Sequence, residues 1–367
     1  MNFIPISQPS ITQKEIDYVT DAVKSTWISS LGKYIDRFEE EFAAFCGTKY
    51  AVTTCNGTVA IHLALKALGI GEGDEVIVPD LSFIATANAV VSSGAKAVFV
   101  DIDPYNLCMY PQAIEAAITP NTKAIMPVHL YGHPADMPAI NAIADQYGLL
   151  VIEDAAEAHG ATIGERRVGN WGICGTFSFY GNKNLTTGEG GMITTNDEAL
   201  YQQCRYLRDH AMSKEKRYWH TELGYNYRMT NLQAALGVAQ MERLGELMAK
   251  REEVFALYQH ALKDTSDFIS LNRTYPWANN AYWLVCAEFP AYQEAERDQL
   301  MRSLKERGID SRPYFYPMSA MPYFETANNP ISYRISQQGI NLPTYFDLKE
   351  KDIKRISESL IELVCVV

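Results

Sequence analysis

Two stretches decide how this chain is read: Leu149-Leu-Val-Ile-Glu-Asp154 and, further on, Ser178-Phe-Tyr-Gly-Asn-Lys-Asn-Leu-Thr-Thr-Gly-Glu-Gly-Gly191. The first is a short apolar run ended by two carboxylates, the pattern of a strand buried on both faces of a parallel sheet. Open α/β sheets bind ligands beyond the carboxyl ends of their strands, which is where Asp154 falls; an Asp that merely caps the next turn is the competing reading. The second stretch sets Lys183 among small and polar residues in a glycine-rich turn between two β-like runs. A nucleophilic lysine needs surroundings that lower its pKa, so that the free amine is available near neutrality. A hairpin lysine projecting into solvent is the alternative.

From residue 50 to about 200, short β-rich runs alternate with helical patterns, the signature of a parallel sheet covered by helices. Strands are expected at 50–54, 75–78, 97–100, 123–128 and 149–153, with two more on either side of the Lys183 turn. Helices are expected at 57–68, 83–92, 111–118 and 137–147. One long helical stretch, 231–262, reads as the bridge out of this region, and a strand at 283–289 with helices at 294–307 and 351–363 suggests a smaller α+β unit. The expected division is a large domain with an N-terminal arm over residues 1–245 and a small C-terminal domain over 246–367.

The 367 residues exceed what one hydrophobic core usually holds. A composition of 47% hydrophobic and 21% charged residues is that of a globular protein. No apolar run is long enough to span a bilayer, and the first ten residues lack the basic start and apolar run of a secretory signal, so a cytoplasmic location is expected. Seven cysteines at scattered positions, with no CxxC pair, read as reduced thiols. A formal charge of -12 argues against nucleic acid or an anionic membrane as a partner. The histidines show no metal-ligand spacing, and no catalytic metal is expected. The run Gly69-Ile-Gly-Glu-Gly73 lacks the spacing of a dinucleotide fingerprint.

Motifs along nearly the whole chain carry a resemblance. They include Ser25-Thr-Trp-Ile-Ser-Ser30, Asn56-Gly-Thr-Val-Ala60, His129-Leu-Tyr-Gly-His133, Glu153-Asp-Ala-Ala-Glu-Ala158, Gly181-Asn-Lys183, Thr187-Gly-Glu-Gly-Gly191, Tyr225-Asn-Tyr-Arg-Met-Thr230 and Arg312-Pro-Tyr-Phe-Tyr-Pro317. In this order they resemble the DegT/DnrJ/EryC1 family of sugar aminotransferases, which depend on pyridoxal 5'-phosphate (PLP) and have the aspartate aminotransferase fold (fold type I). The resemblance implies that Lys183 forms the Schiff base with the cofactor and later moves the proton, and that Asp154 pairs with the protonated pyridine nitrogen. It implies phosphate binding at Gly57 and Thr58, where a helix start offers free N–H groups, with a hydroxyl from Ser178. Phe83 is expected to stack on the cofactor ring, a plain core Phe being the alternative. Glu157 stands where many relatives carry Gln facing the cofactor's 3-oxygen. An ionised carboxylate cannot donate there, so either Glu157 is protonated or the proton lies on the cofactor oxygen.

Asn226 resembles the asparagine that reaches the phosphate of the neighbouring subunit's cofactor, which implies a homodimer with shared active sites; Arg228 reads as a structural or interface arginine and not a direct catalyst. His159 is expected either to line the pocket or to be a satisfied, partly buried histidine. The implied reaction transfers an amino group from L-glutamate to a keto sugar. The first acceptor expected is GDP-4-keto-6-deoxy-mannose, giving GDP-perosamine for a surface polysaccharide such as a lipopolysaccharide O-antigen. Family members acting on that sugar typically carry His in the segment after Arg-Pro-x-Phe-Tyr-Pro, where this chain has Ser319. With Tyr316 and His159, Ser319 is an expected substrate residue, and its small hydroxyl suggests a roomier, less cationic pocket. Another nucleotide keto sugar, or a keto sugar acid such as an 8-keto-octulosonate, is the alternative acceptor. A sugar dehydratase of the same family carries His in place of the lysine, which Lys183 disfavours; a non-enzymatic PLP-binding regulator is disfavoured by the intact site.

Overall fold

The computed structural model describes residues 2–365; Met1 and the last two residues, at the outer ends of the two expected domains, lie outside the described residues. Its centre is a seven-stranded sheet in the spatial order β1-β9-β8-β5-β4-β2-β3. These strands are β1 (Tyr50–Thr54), β2 (Glu75–Pro79), β3 (Lys96–Val100), β4 (Thr122–Ile125), β5 (Leu150–Asp154), β8 (Cys174–Ser178) and β9 (Gly191–Thr195). Two-residue strands β6 (Thr162–Ile163) and β7 (Arg166–Arg167) form a small side ribbon with β11 (Ala278–Asn279). Strands β3, β2, β4, β5 and β8 are mutually parallel; β9 runs antiparallel to both β8 and β1, so β1 points the same way as β8. The carboxyl ends of β1, β2, β5 and β8 therefore share one edge.

Burial on both faces explains the near-continuous apolar strands. Val52, Val76, Val78, Ile152 and Ile193 join the helices Gly57–Ala67, Ala85–Ser92 and Glu198–Arg208 in one core. Their sequence neighbours face the other way, as a period of two requires: Ile77 and Val151 pack with the helix Met137–Tyr147, and Ala51 and Met192 with the helices Lys33–Cys46 and Asn231–Met241. A second, four-stranded antiparallel sheet combines β10 (Ser270–Leu271), β12 (Val285–Glu288), β14 (Gly339–Leu342) and β13 (Arg312–Pro313), and packs with the helices Glu294–Glu306 and Glu350–Val364. This is the expected α/β architecture of a large, mostly parallel sheet and a smaller α+β unit.

The long bridge helix is instead two helices, Asn231–Met241 and Leu244–Ala261. Arg243 leaves helical geometry at φ -109°, ψ 3°. Its buried guanidinium turns to Glu15 (2.7 Å) and to the Ser10 hydroxyl (2.9 Å), pinning the N-terminal arm. The 3.6-residue periodicity runs through such a break unchanged, which is why the pattern read as one helix.

Candidate active site

A cavity of about 550 Å³ opens at the shared carboxyl edge. Asp154, Gly57, Thr58, Ser178, Phe83, Glu157 and Lys183 all line it. Asp154 is the last residue of β5, and the main-chain alternation that sends Glu153 away sends Asp154 into the site. Its Oδ2 accepts from the Thr86 hydroxyl at 2.7 Å, and its Oδ1 from the Ala156 N–H at 3.2 Å. Burial pushes the Asp154 carboxyl above its ordinary range, against the pull of those two donors. Glu153, on the far side, is fully buried and accepts from the N–H groups of Gly169, Trp171 and Gly172 and from His129 Nε2. It is structural.

Lys183 sits in the 179–190 connection between the antiparallel partners β8 and β9. Its Nζ is 3.4 Å from Glu157 Oε1, and burial lowers its pKa below the ordinary lysine value, the direction a nucleophilic amine needs. Burial likewise raises Glu157, whose Oε2 accepts from the Tyr131 N–H at 3.0 Å. That shift favours a proton on Glu157. Tyr131 itself is buried with φ +53°, a left-handed conformation that costs a non-glycine residue about 1–2 kcal/mol.

Asn56 caps the helix Gly57–Ala67 by accepting from the Val59 N–H at 3.0 Å. The Gly57 and Thr58 N–H groups, in the first turn, have no acceptor within the helix, and both residues line the cavity with Ser178. A Cβ at Gly57 would meet Ser178 Cβ at 2.8 Å, so only glycine lets the helix start come this close to the end of β8. Phe83 is 55% exposed at the cavity mouth, which excludes the core alternative, and its ring lies 5.7 Å from that of Phe315. An adjoining cavity of about 790 Å³ shares Phe83, Tyr180, Asn182, Trp283 and Phe315 with the first and adds Tyr316 and Arg312.

Two expected substrate residues fall elsewhere. His159 is fully buried among Phe42, Phe177 and Phe179 and lines neither cavity. Nor is it satisfied: neither ring nitrogen has a hydrogen-bond partner of regular geometry. The Ser178 main chain only weakly opposes the effect of burial, which drives the His159 pKa down to about 3. Ser319 is also buried and lines neither cavity; its hydroxyl donates to Asp80 Oδ2 at 2.7 Å and lies 3.0 Å from the Tyr333 hydroxyl. Asp80 further accepts from the Ser319 N–H (2.8 Å) and the Asn329 amide (3.0 Å), so Ser319 anchors the C-terminal segment to the residue after β2 and does not open the pocket. Asn226 is exposed, accepts from Arg228 Nε at 3.1 Å, and lines neither cavity of its own chain. Thr86, Tyr131, Trp283 and Phe315 join the site although no site role was expected of any of the four: Tyr131 and Phe315 lie within the quoted motifs, Thr86 and Trp283 carry no local signal, and all four reach the site through packing. Among the described residues no cluster of three or more His, Cys, Asp or Glu is placed to hold a metal, and no helix is long and apolar enough to cross a membrane.

The chain belongs to the DegT/DnrJ/EryC1/StrS aminotransferase family, which it matches over residues 9–361. It is 46% identical to the GDP-perosamine synthase of Caulobacter vibrioides, with 98% of each chain covered, and 44% identical to that of Escherichia coli O157:H7, with 99% of each covered. Its backbone superposes on the crystal structure of an aminotransferase from Psychrobacter cryohalolentis with a TM-score of 0.92, at 34% identity and 98% coverage of each chain. The protein is thus an enzyme, a PLP-dependent sugar aminotransferase. The residues present fit the cofactor: an anion cradle at Gly57, Thr58 and Ser178, a buried carboxylate at Asp154, and a buried amine at Lys183.

Proposed function

We propose that this enzyme transfers the amino group of L-glutamate to C4 of GDP-4-keto-6-deoxy-mannose, giving GDP-perosamine for a surface polysaccharide. The observation that carries the acceptor is the likeness, at 44–46% identity and without large gaps in coverage, to two GDP-perosamine synthases. When bound, PLP supplies an aldehyde that takes up the amino group and a ring that withdraws electrons from the carbon losing its proton. Lys183 Nζ is the attachment atom and, once freed, the base that removes that proton and delivers it again. Asp154, desolvated and held by Thr86 and Ala156, is the countercharge for the ring nitrogen. Gly57, Thr58 and Ser178 hold the phosphate, and Phe83 covers the ring at the mouth of the site.

The enzyme acts as a homodimer in which Asn226 completes the partner's site. Support comes from its exposed position and from other exposed large hydrophobic side chains, Leu223 on the preceding loop and Trp27 and Leu31 near the N-terminus, which are 57–80% exposed. Residues 1–245 form the cofactor domain and 246–367 the small domain, and the enzyme works in the cytoplasm, in keeping with seven free thiols. The test uses the cofactor-loaded enzyme. Borohydride reduction fixes the cofactor to a peptide containing Lys183. After glutamate converts the cofactor to its amine form, GDP-4-keto-6-deoxy-mannose restores the original absorbance, and simple 2-oxo acids other than 2-oxoglutarate do not. Labelling of another lysine overturns the site; recovery with a different keto sugar alone overturns the acceptor.

A further inference from the structure

The Lys183 amine rests on an aromatic face. Its Nζ lies 3.6 Å from the ring centroid of Trp283, a buried residue just ahead of β12 that lines both cavities. Trp283 is fixed from several sides. Its indole N–H donates to the Asn182 carbonyl at 2.8 Å, one residue before the lysine. Its own carbonyl accepts from Arg251 Nη1 at 2.9 Å, and the same nitrogen donates to the Thr344 carbonyl at 2.6 Å. Its ring stacks on Tyr131, with centroids 6.2 Å apart and planes 19° from parallel. The Tyr131 N–H holds Glu157, and Glu157 returns to Lys183, closing a ring of contacts.

We propose that Trp283 is a positioning residue of the transamination, holding the Lys183 amine on its ring face and stabilising it whenever that nitrogen is positively charged. The proposal rests on Lys183 being the attachment lysine. When Nζ takes the proton from the donor carbon, it changes from a neutral amine to an ammonium ion at a buried position. The groups facing that charge are the carboxyl groups of Glu157 and Asp154, the neutral His159 and the π face of Trp283. The ring's quadrupole attracts the ammonium and is nearly indifferent to the amine, so the contact strengthens as the charge develops and lowers the barrier of that step. A Trp that only fills space has the same shape but no such dependence on charge.

The experiment separates shape from charge by replacing Trp283 with tryptophans bearing one to three ring fluorines, which drain the π face and scarcely alter volume. Trp283→Leu is a second variant without any ring. In the cofactor-loaded enzyme, pH titration of the visible band reports the proton on Nζ. The apparent pKa is expected to fall stepwise with fluorine number, and by about one unit in Trp283→Leu. The single-turnover rate with glutamate is expected to fall about tenfold over the same series, with a rising α-deuterium isotope effect and KM changed less than twofold. Titrations and rates that do not vary with fluorine number overturn the proposal, whatever becomes of Trp283→Leu. Borohydride labelling of a lysine other than Lys183 marks the separate failure of the site assignment.

Discussion

Ser319→Ala distinguishes an anchor from a sugar-facing residue. The substitution removes the hydroxyl that donates to Asp80 Oδ2 at 2.7 Å, leaving that fully buried carboxylate with the Ser319 N–H and the Asn329 amide. A hydrogen bond to a charged group contributes about 1.5–3 kcal/mol, and both partners are buried, so a stability loss of about 2 kcal/mol is expected at neutral pH. The loss has a sign in pH. Burial holds the Asp80 pKa above its ordinary 3.8, so the folded protein keeps this proton at a pH where the unfolded chain has released it. The site is therefore most favourable below the unfolded value and loses stability as pH rises through the folded one. Removing a donor raises the folded pKa further, so the deficit of the variant is largest at pH 7 and shrinks toward pH 4. Urea unfolding of both proteins at the two pH values measures it, and turnover with the keto sugar that the wild type accepts is expected to be unchanged below the unfolding range. An unaltered urea midpoint with a changed acceptor preference would refute the reasoning and return Ser319 to the sugar.

His159→Phe replaces two unsatisfied buried nitrogens by carbon among three phenylalanines. Because the folded pKa is about 3 and the unfolded one about 6.5, the wild type loses roughly 1.4 kcal/mol per pH unit below 6.5 at this site. The variant is expected to lack that slope, gaining about 2 kcal/mol relative to wild type between pH 8 and pH 5, with cofactor affinity unchanged; equal acid sensitivity in urea titrations would contradict this. Mixing inactive Lys183→Ala with inactive Asn226→Ala protein, with subunit exchange verified, is expected to restore up to a quarter of wild-type turnover, since half of the dimers are mixed and each has one complete site. No recovery would count against sites shared between subunits.

The legible parts of this protein are those whose cause is local. The strand before Asp154 and the glycines around Lys183 declare themselves because a buried strand needs a continuous apolar run and a tight connection needs residues without bulk. The start of the helix after Asn56 is legible for the same reason. Trp283 is not, because an aromatic residue in an apolar run looks alike whether it faces a core or a cavity; only the docking of the C-terminal sheet brings it to Lys183. His159 and Ser319 misled for the converse reason. Polar residues near site motifs suggest the pocket, and spacing does not tell which of them the fold turns inward, toward phenylalanines or toward Asp80.

The antiparallel insertion of β9 has a consequence for the newborn chain. β1, which leads to the phosphate cradle, pairs within the sheet only with β9, from Tyr50 opposite Thr195 to Thr54 opposite Gly191. On the ribosome the earliest strand of the sheet must therefore wait until the lysine-bearing connection has emerged before it can be docked at its place. Trp283 and the rest of the C-terminal wall arrive later still. A growing polypeptide thus has the helix start at Gly57 and Thr58 long before Ser178 and Lys183, and then the amine without its enclosure. The full wall of the cavity, with Asp154, Lys183 and Trp283 together, is therefore assembled only once the C-terminal sheet has been made.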